Sequence, residues 1–343
     1  MTNVPLPPVD QLTARSRAYG LLAALWRHGV TPELRAYITG LPALEAALPT
    51  PYSPDSAAAE HYALLGLTVF PYASAFLDEA GQVGGAWSAQ AAAAYVACGF
   101  RPSPADAPDH VATELDALAF LVGAEADAVT DGLTHVATRM RSLQCDFLRT
   151  QLTPWLQPFL LAVDLAELPF YRALADLTRR VVCAHMDVCA VAAPSVPVAE
   201  PAVASPPPDP AAAATTLRDL VDFLMTPARA GVFITRTDLR TLAHAHATPA
   251  GFGDRRQTLL NLVRSAAVYE QLPGLLADVR AFVLRWQAHY ATAPHAAEAA
   301  AYAHLSAPWL PRVEQTLGLV TQMAALVQTA TPHWSHAPSA DGN

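Results

Sequence analysis

Residues 107–127 read APDHVATELDALAFLVGAEAD, and this stretch decides the fold class. Asp109 stands where a helix N-cap side chain accepts amide hydrogen bonds, and the Ala- and Leu-rich run behind it holds no proline. The reading is a helix capped by Asp109 and running to about Asp127. The same signature repeats on both sides. Leu12, Tyr19, Leu22 and Trp26 form an amphipathic stripe, and Leu34, Ile38, Leu41, Leu44 and Leu48 form a second, interrupted at Pro42. Residues 55–77 give a third segment, broken near Pro71. Ser88 is placed to cap an Ala-rich helix that Gly99 ends. Further along, residues 131–151 continue without a breaker, Pro154 restarts the chain, and 168–189 make a long helix. Beyond residue 215 the pattern predicts helices over 216–225, from Thr237 or Asp238 to about His246, over 254–271 and 311–329, and over 273–290 with its proline at the start. No stretch sustains the period-two alternation of a strand, so the fold class is all-α.

Composition agrees. The 343 residues include 71 alanines, with 52% hydrophobic and 15% charged side chains, enough apolar material for a sizeable core. All 21 basic residues are arginine, and the net charge of −9 argues against nucleic-acid binding, which needs a positive field. Residues 1–190 hold 19 acids against 11 arginines, whereas 191–343 hold 11 against 10. An acidic front half suits a basic partner. Residues 1–9 carry no arginine, so no secretory segment is expected there. The longest charge-free stretch, 80–100, is too polar to span a bilayer. Four cysteines lay out no disulfide framework, and the six-residue spacing of Cys183 and Cys189 is not a metal-ligand spacing. These features predict a soluble protein of a reducing compartment, without stable membrane association.

One break divides the chain. Residues 191–214 hold prolines 194, 197, 201, 206, 207, 208 and 210, which favour neither helix nor sheet. The expected organisation is a front domain over 1–190, a Pro/Ala-rich linker over 191–214, a helical C-terminal domain over 215–330, and a disordered tail over 331–343.

Few constellations carry chemistry. His110 and Glu114 share a helix face, which could make an acid/base pair or half a metal site of a metal- or nucleotide-dependent hydrolase. A metal needs further ligands, and no second pair at that spacing is evident. The plainer reading is a capped helix with Glu114 on a solvated or partner-facing side. Arg179–Arg180 and Arg255–Arg256 read as ordinary exposed pairs. Gly81, Gly84 and Gly85 make no phosphate loop, and no Gly-x-Ser-x-Gly elbow occurs. Tyr19, Trp26, Tyr52, Phe70, Tyr72, Phe76 and Trp87 are each more readily core than ligand, yet aromatics and leucines also line grooves for amphipathic peptides.

Four blocks then stand in order: YVACGF at 95–100, APDHVATEL at 107–115, FLRTQLTPW at 147–155 and FYRALADLT at 170–178, with PYAS at 71–74 ahead of them. This arrangement resembles the TorD/DmsD/NarJ family of redox-enzyme maturation chaperones over roughly residues 12–190. Gln151 departs from the histidine usual in that family, which puts any ligand role of that position in doubt. The region after the linker resembles nothing in the single-domain members.

The resemblance implies a helical bundle followed by the linker and a second helical unit. It implies a cytoplasmic, non-catalytic chaperone that binds the twin-arginine leader and the apo catalytic subunit of a molybdopterin oxidoreductase of the DMSO-reductase type, assisting cofactor insertion and delaying export. It further implies a monomer or domain-swapped dimer, no resident cofactor, and guanine nucleotide as a possible ligand. A leader offers two guanidinium groups and an apolar helical stretch, so its receptor needs carboxylates beside an apolar groove. Asp109, Glu114 and Asp116 are the expected acids, His110 a hydrogen-bond donor, and Tyr72, Phe76, Trp87 and Phe100 the expected groove lining.

Overall fold

The computed structural model describes residues 7–192, 206–249 and 253–330. Prolines 194, 197 and 201 of the expected linker and the tail from Thr331 lie outside the described residues. Those that are described form helices and connecting turns, with no strand among them and one isolated bridge, Tyr72 to His110. The protein is all-α. No helix among the described residues is long and apolar enough to cross a membrane.

The front half runs α1 (Val9–His28), α2 (Pro32–Ile38), α3 (Pro42–Ala46), α4 (Pro54–His61), α5 (Ala73–Leu77), α6 (Gly85–Cys98), α7 (Val111–Thr130), α8 (Thr134–Phe147), α9 (Thr153–Asp164) and α10 (Pro169–Ala192). Single π-helical turns follow α4 and α8. Local chemistry sets several ends. Thr31 and Ser53 cap α2 and α4, each with proline in the first turn. Gly99 ends α6 at φ 77°, a left-handed conformation that favours glycine. Two expected caps are corrected. Helix α6 starts at Gly85, so Ser88 lies inside it. Helix α7 is capped by His110, whose Nδ1 accepts the Ala112 amide at 3.1 Å, because the Asp109 carboxylate is engaged elsewhere.

Helix α1 packs along α7, with α8, α9 and α10 around them. Trp26 meets Phe159 edge-on at 5.0 Å. A buried polar chain crosses four helices: Tyr19 and His185 lie 2.9 Å apart, His185 and Gln144 3.1 Å, and Gln144 donates to Glu125 at 2.8 Å. Arg141 closes it by donating twice to Glu125, at 2.9 and 2.7 Å. Gln144 turns its amide nitrogen to two acceptors, Leu121 O and Glu125, so its oxygen faces His185. His185 therefore donates from Nε2 and accepts from Tyr19, the neutral form; burial holds its pKa down at about 3. Beside this chain Cys145 and Cys189 form a disulfide across α8 and α10, their Cα atoms 5.4 Å apart. This corrects the expectation of no bridge, since a separation of 44 residues gives no spacing signal.

The back half runs α11 (Leu217–Leu224), α12 (Pro227–Ala230), α13 (Arg236–Ala245), α14 (Arg255–Val268), α15 (Leu272–Ala291), α16 (Ala299–Ser306) and α17 (Leu310–Ala330). Thr216 and Thr235 close capping boxes with Asp219 and Asp238. Helix α13 thus starts at Arg236, one residue before the expected Thr237 and two before Asp238. Helices α12 and α16 are short and had no sequence signal. The back half packs directly on the front half. Phe233 stacks on Phe76 at 5.1 Å, and Phe76 on Trp155 at 5.9 Å. Helix α16 lies against α9 and α10, with Glu298 3.4 Å from Arg180 and His295 2.9 Å from Asp176 at its approach. One continuous apolar cluster includes side chains of both halves.

Phe233→Ala is expected to cost about 3–5 kcal/mol and to lower the denaturant midpoint of one shared unfolding transition followed by circular dichroism. Separate melting of a back half, with the rest unaffected, would show that this stack does not couple the halves.

Candidate functional site

The PYAS segment and three of the four sequence blocks converge on one knot, whereas the block at 170–178 packs against Trp26 and His61. Backbone bonds from Val111 N to Pro71 O (2.9 Å) and Ala73 N to Asp109 O (2.8 Å) lay the 71–73 segment against the start of α7. Asp109 is 1% exposed, and its Oδ2 accepts from the Ser74 amide at 3.1 Å and the Ser74 hydroxyl at 2.5 Å. Ser74 Oγ in turn accepts from Gly84 N at 2.8 Å, and the Tyr95 hydroxyl donates to Pro108 O. The PYAS, YVACGF and APDH segments therefore form one structure, with Asp109 at its centre.

Glu114 lies one turn further, 1% exposed. Its Oε2 accepts the Trp155 indole N–H at 3.1 Å, which ties in the FLRTQLTPW block. Burial pushes its pKa well above the usual carboxylate range. His110 is half-buried with its ring edge-on to Tyr72 at 5.2 Å. Burial and then the Arg27 charge push its pKa down to about 4. Arg27, from α1, reaches Asp116 at 2.7 Å and Asp106 at 3.5 Å. Burial raises the Asp116 pKa, against the opposing pull of Arg27.

These positions revise the expected site. Asp109, Glu114 and Phe76 lie inside and are committed to Ser74, Trp155 and the aromatic stack, so they present no free surface. Tyr72, His110 and Asp116 remain half-buried beside them. Trp87 is half-buried in the first turn of α6, and Phe100 packs on Tyr95 at 5.3 Å and Phe120 at 5.8 Å. As a hydrolase pair His110 and Glu114 are poorly placed, because each spends a polar atom on structure. Among the described residues no group of three or more His, Cys, Asp and Glu could hold a metal ion. Gln151 is buried, its amide donating to Thr150 at 3.1 Å.

Sequence reasoning missed Arg27, Asp106 and Ser74, whose partners lie far along the chain. It also read Arg255–Arg256 as an exposed pair, which is corrected here. The Arg255 guanidinium sits over Phe233 at 4.4 Å and Phe70 at 5.5 Å, and donates to Ile234 O at 2.9 Å. Burial lowers its pKa to about 10. Arg256 donates to Ala80 O at 3.3 Å, so the pair belongs to the seam between the halves.

A cleft of about 710 Å³ opens along that seam. Leu165 and Leu168 of the front half and Phe233, Leu242, Phe282 and Trp286 of the back half give it an apolar lining. Its volume lies within the roughly 300–1,000 Å³ of ligand-enclosing clefts.

Comparison with family models matches residues 34–160 to the nitrate reductase delta subunit. The similarity covers 127 of the 343 residues. Members of that family are chaperones of molybdoenzyme maturation, the class that the sequence blocks resemble. No curated protein and no solved structure matches the chain. The nitrate reductase delta segment ends within α9, so it holds the Asp109 knot, whereas α10 to α17 lie beyond it.

The pKa shifts have opposite consequences. Below pH 6.5 an unfolded His110 takes a proton that the folded one refuses until about pH 4, so stability falls as pH drops through that window. Above its ordinary 4.5 an unfolded Glu114 loses a proton that the folded one keeps, so stability falls as pH rises. Glu114→Gln keeps the acceptor for Trp155 and cannot ionise. Its Tm relative to the wild type is expected to climb with pH above about 4.5, while His110→Asn, which still caps α7, flattens the acid slope. Parallel Tm–pH curves for all three proteins would contradict the buried neutral states.

Proposed function

We propose that this protein is a maturation chaperone that binds the twin-arginine leader and the apo catalytic subunit of a molybdopterin oxidoreductase of the DMSO-reductase type. The family match over the Asp109 knot carries this reading. The chaperone holds its client in the cytoplasm until the cofactor is inserted, then yields it to export. It makes and breaks no covalent bond. In a reducing cytoplasm Cys145 and Cys189 would stand as two thiols, and the Gln144–His185 contact one turn away keeps α8 on α10 in either form.

The half-buried part of the knot supplies the contacts. Asp116, with Asp106 beside it, already receives one guanidinium, that of Arg27. A leader arginine replaces Arg27 there, with His110 and Tyr72 at the edge and the half-buried rings of Trp87 and Phe100 as apolar surface. Asp109, Glu114 and Phe76 act from beneath by fixing the geometry of this face.

Calorimetry with a synthetic twin-arginine leader tests the assignment. Micromolar binding is expected, weakened only a few-fold (about 0–1 kcal/mol) by Asp116→Asn, because the exchange leaves the number of pairs unchanged, and tightened by Arg27→Gln, which removes the internal competitor. Absence of binding to folded protein would sink the chaperone reading. Affinity indifferent to both substitutions would move the arginines to another surface.

A further inference from the structure

We propose that the cleft between the two halves is a second contact for the same leader, receiving the apolar helical stretch beside its arginines at a border marked by a basic side chain. The proposal rests on the chaperone reading and adds a place and a purpose for the back half. The cleft needs both halves. Leu165 and Leu168 follow the end of α9, whereas Leu242, Phe282 and Trp286 come from α13 and α15. The back-half wall lies outside the family match.

The chemistry of the lining selects the occupant. The leucines and aromatic rings of the lining suit leucine and phenylalanine side chains. Two of its rings already pack against guanidinium groups of the chain itself: Phe233 under Arg255 at 4.4 Å and Phe282 under Arg285 at 5.6 Å. The charged part of the lining is acidic on balance: Glu167, Asp238 and Asp278 stand against the single cation Arg285. Asp238 is occupied in capping α13, and Asp278 accepts from His246 at 2.8 Å. Glu167 is exposed, and its side chain makes no hydrogen bond or ion pair among the described residues. It follows α9 at φ 59°. An apolar segment bordered by arginine or lysine complements this surface, and an acidic one does not.

Reach permits both contacts at once. Thr68 lines the cleft and Tyr72 belongs to the knot, and four residues of extended chain span at most about 14 Å. A twelve-residue helical stretch covers about 18 Å. One leader can therefore lie across the knot and the cleft, with the advantage of two linked contacts.

The experiment compares two synthetic peptides on the full chain by calorimetry: a whole twin-arginine leader, and its first half, which keeps the arginine pair and lacks the apolar stretch. The whole leader is expected to bind at least tenfold more tightly. That gain disappears in Ala281→Trp and in Ala245→Trp, which fill the cleft from exposed positions on α15 and α13, while the short peptide binds all three proteins alike. Glu167→Gln loses a few-fold of the gain. If one tryptophan variant does not fold, the other serves. Whole-leader affinity unchanged in folded variants would overturn the cleft assignment and leave the chaperone reading standing. No binding of either peptide to the wild type would overturn both. Light scattering that shows a dimer for the wild type and a monomer for Ala281→Trp would assign the cleft to a second copy of this chain and overturn the proposal.

Discussion

One buried carboxylate holds the family-matched region in shape. Asp109 is closed off from water, where an ionised group costs several kcal/mol unless donors meet it. Ser74 meets it twice, through amide and hydroxyl, and the same hydroxyl takes the Gly84 amide. The loop between Pro71 and Gly84 is thereby fixed to the start of α7 at its first end, and its Gly84 end is fixed to Ser74. Phe76 hangs from that loop, and the Trp155 it stacks on is held by Glu114, five residues after Asp109. The platform on which Phe233 lands is thus built by two buried acids, neither of which needs to touch a client.

The second acid shows why burial does not demand an ion pair. Glu114 meets an indole N–H, and burial favours its protonated form. Protonated, it costs less to enclose than a carboxylate. Arg141 and Glu125 solve the same problem differently, as a paired charge with Gln144 completing the hydrogen bonds. Removing one partner of such a pair leaves an uncompensated charge, so these residues constrain the packing of α7 against α8 more than they add net stability.

Much of the fold was legible because helix ends are local events. Gly99 at the end of α6 and the proline at the start of α15 act through neighbours within one turn, and a single sequence shows them. The knot was legible only as sequence blocks in order, which carried a family resemblance and not the roles. Asp109 looked like a cap because its spacing to α7 is right. His110 took that position since the Asp109 carboxylate had a better partner 35 residues upstream. Periodicity carries no information about such a partner. The same holds for Arg27 with Asp116, for Cys145 with Cys189 and for Arg255 over Phe70: each pairing is decided by how helices cross, and the helix pattern leaves that open.

The acidic balance of the front half is likewise ambiguous until its acids are placed. Asp109, Glu114 and Glu125 are spent inside, and a cationic partner meets only those at the surface. There Asp116 and Asp106 already hold Arg27. Under the chaperone reading, a client arginine therefore exchanges with an arginine of the chaperone, so the number of guanidinium–carboxylate pairs is unchanged and the electrostatic gain is small. Partly exposed pairs of this kind contribute about 0–1 kcal/mol each. Discrimination by the arginines can then coexist with weak net attraction, and tight holding has to come from apolar burial elsewhere. That division suits a chaperone, which must recognise its client and also let it go.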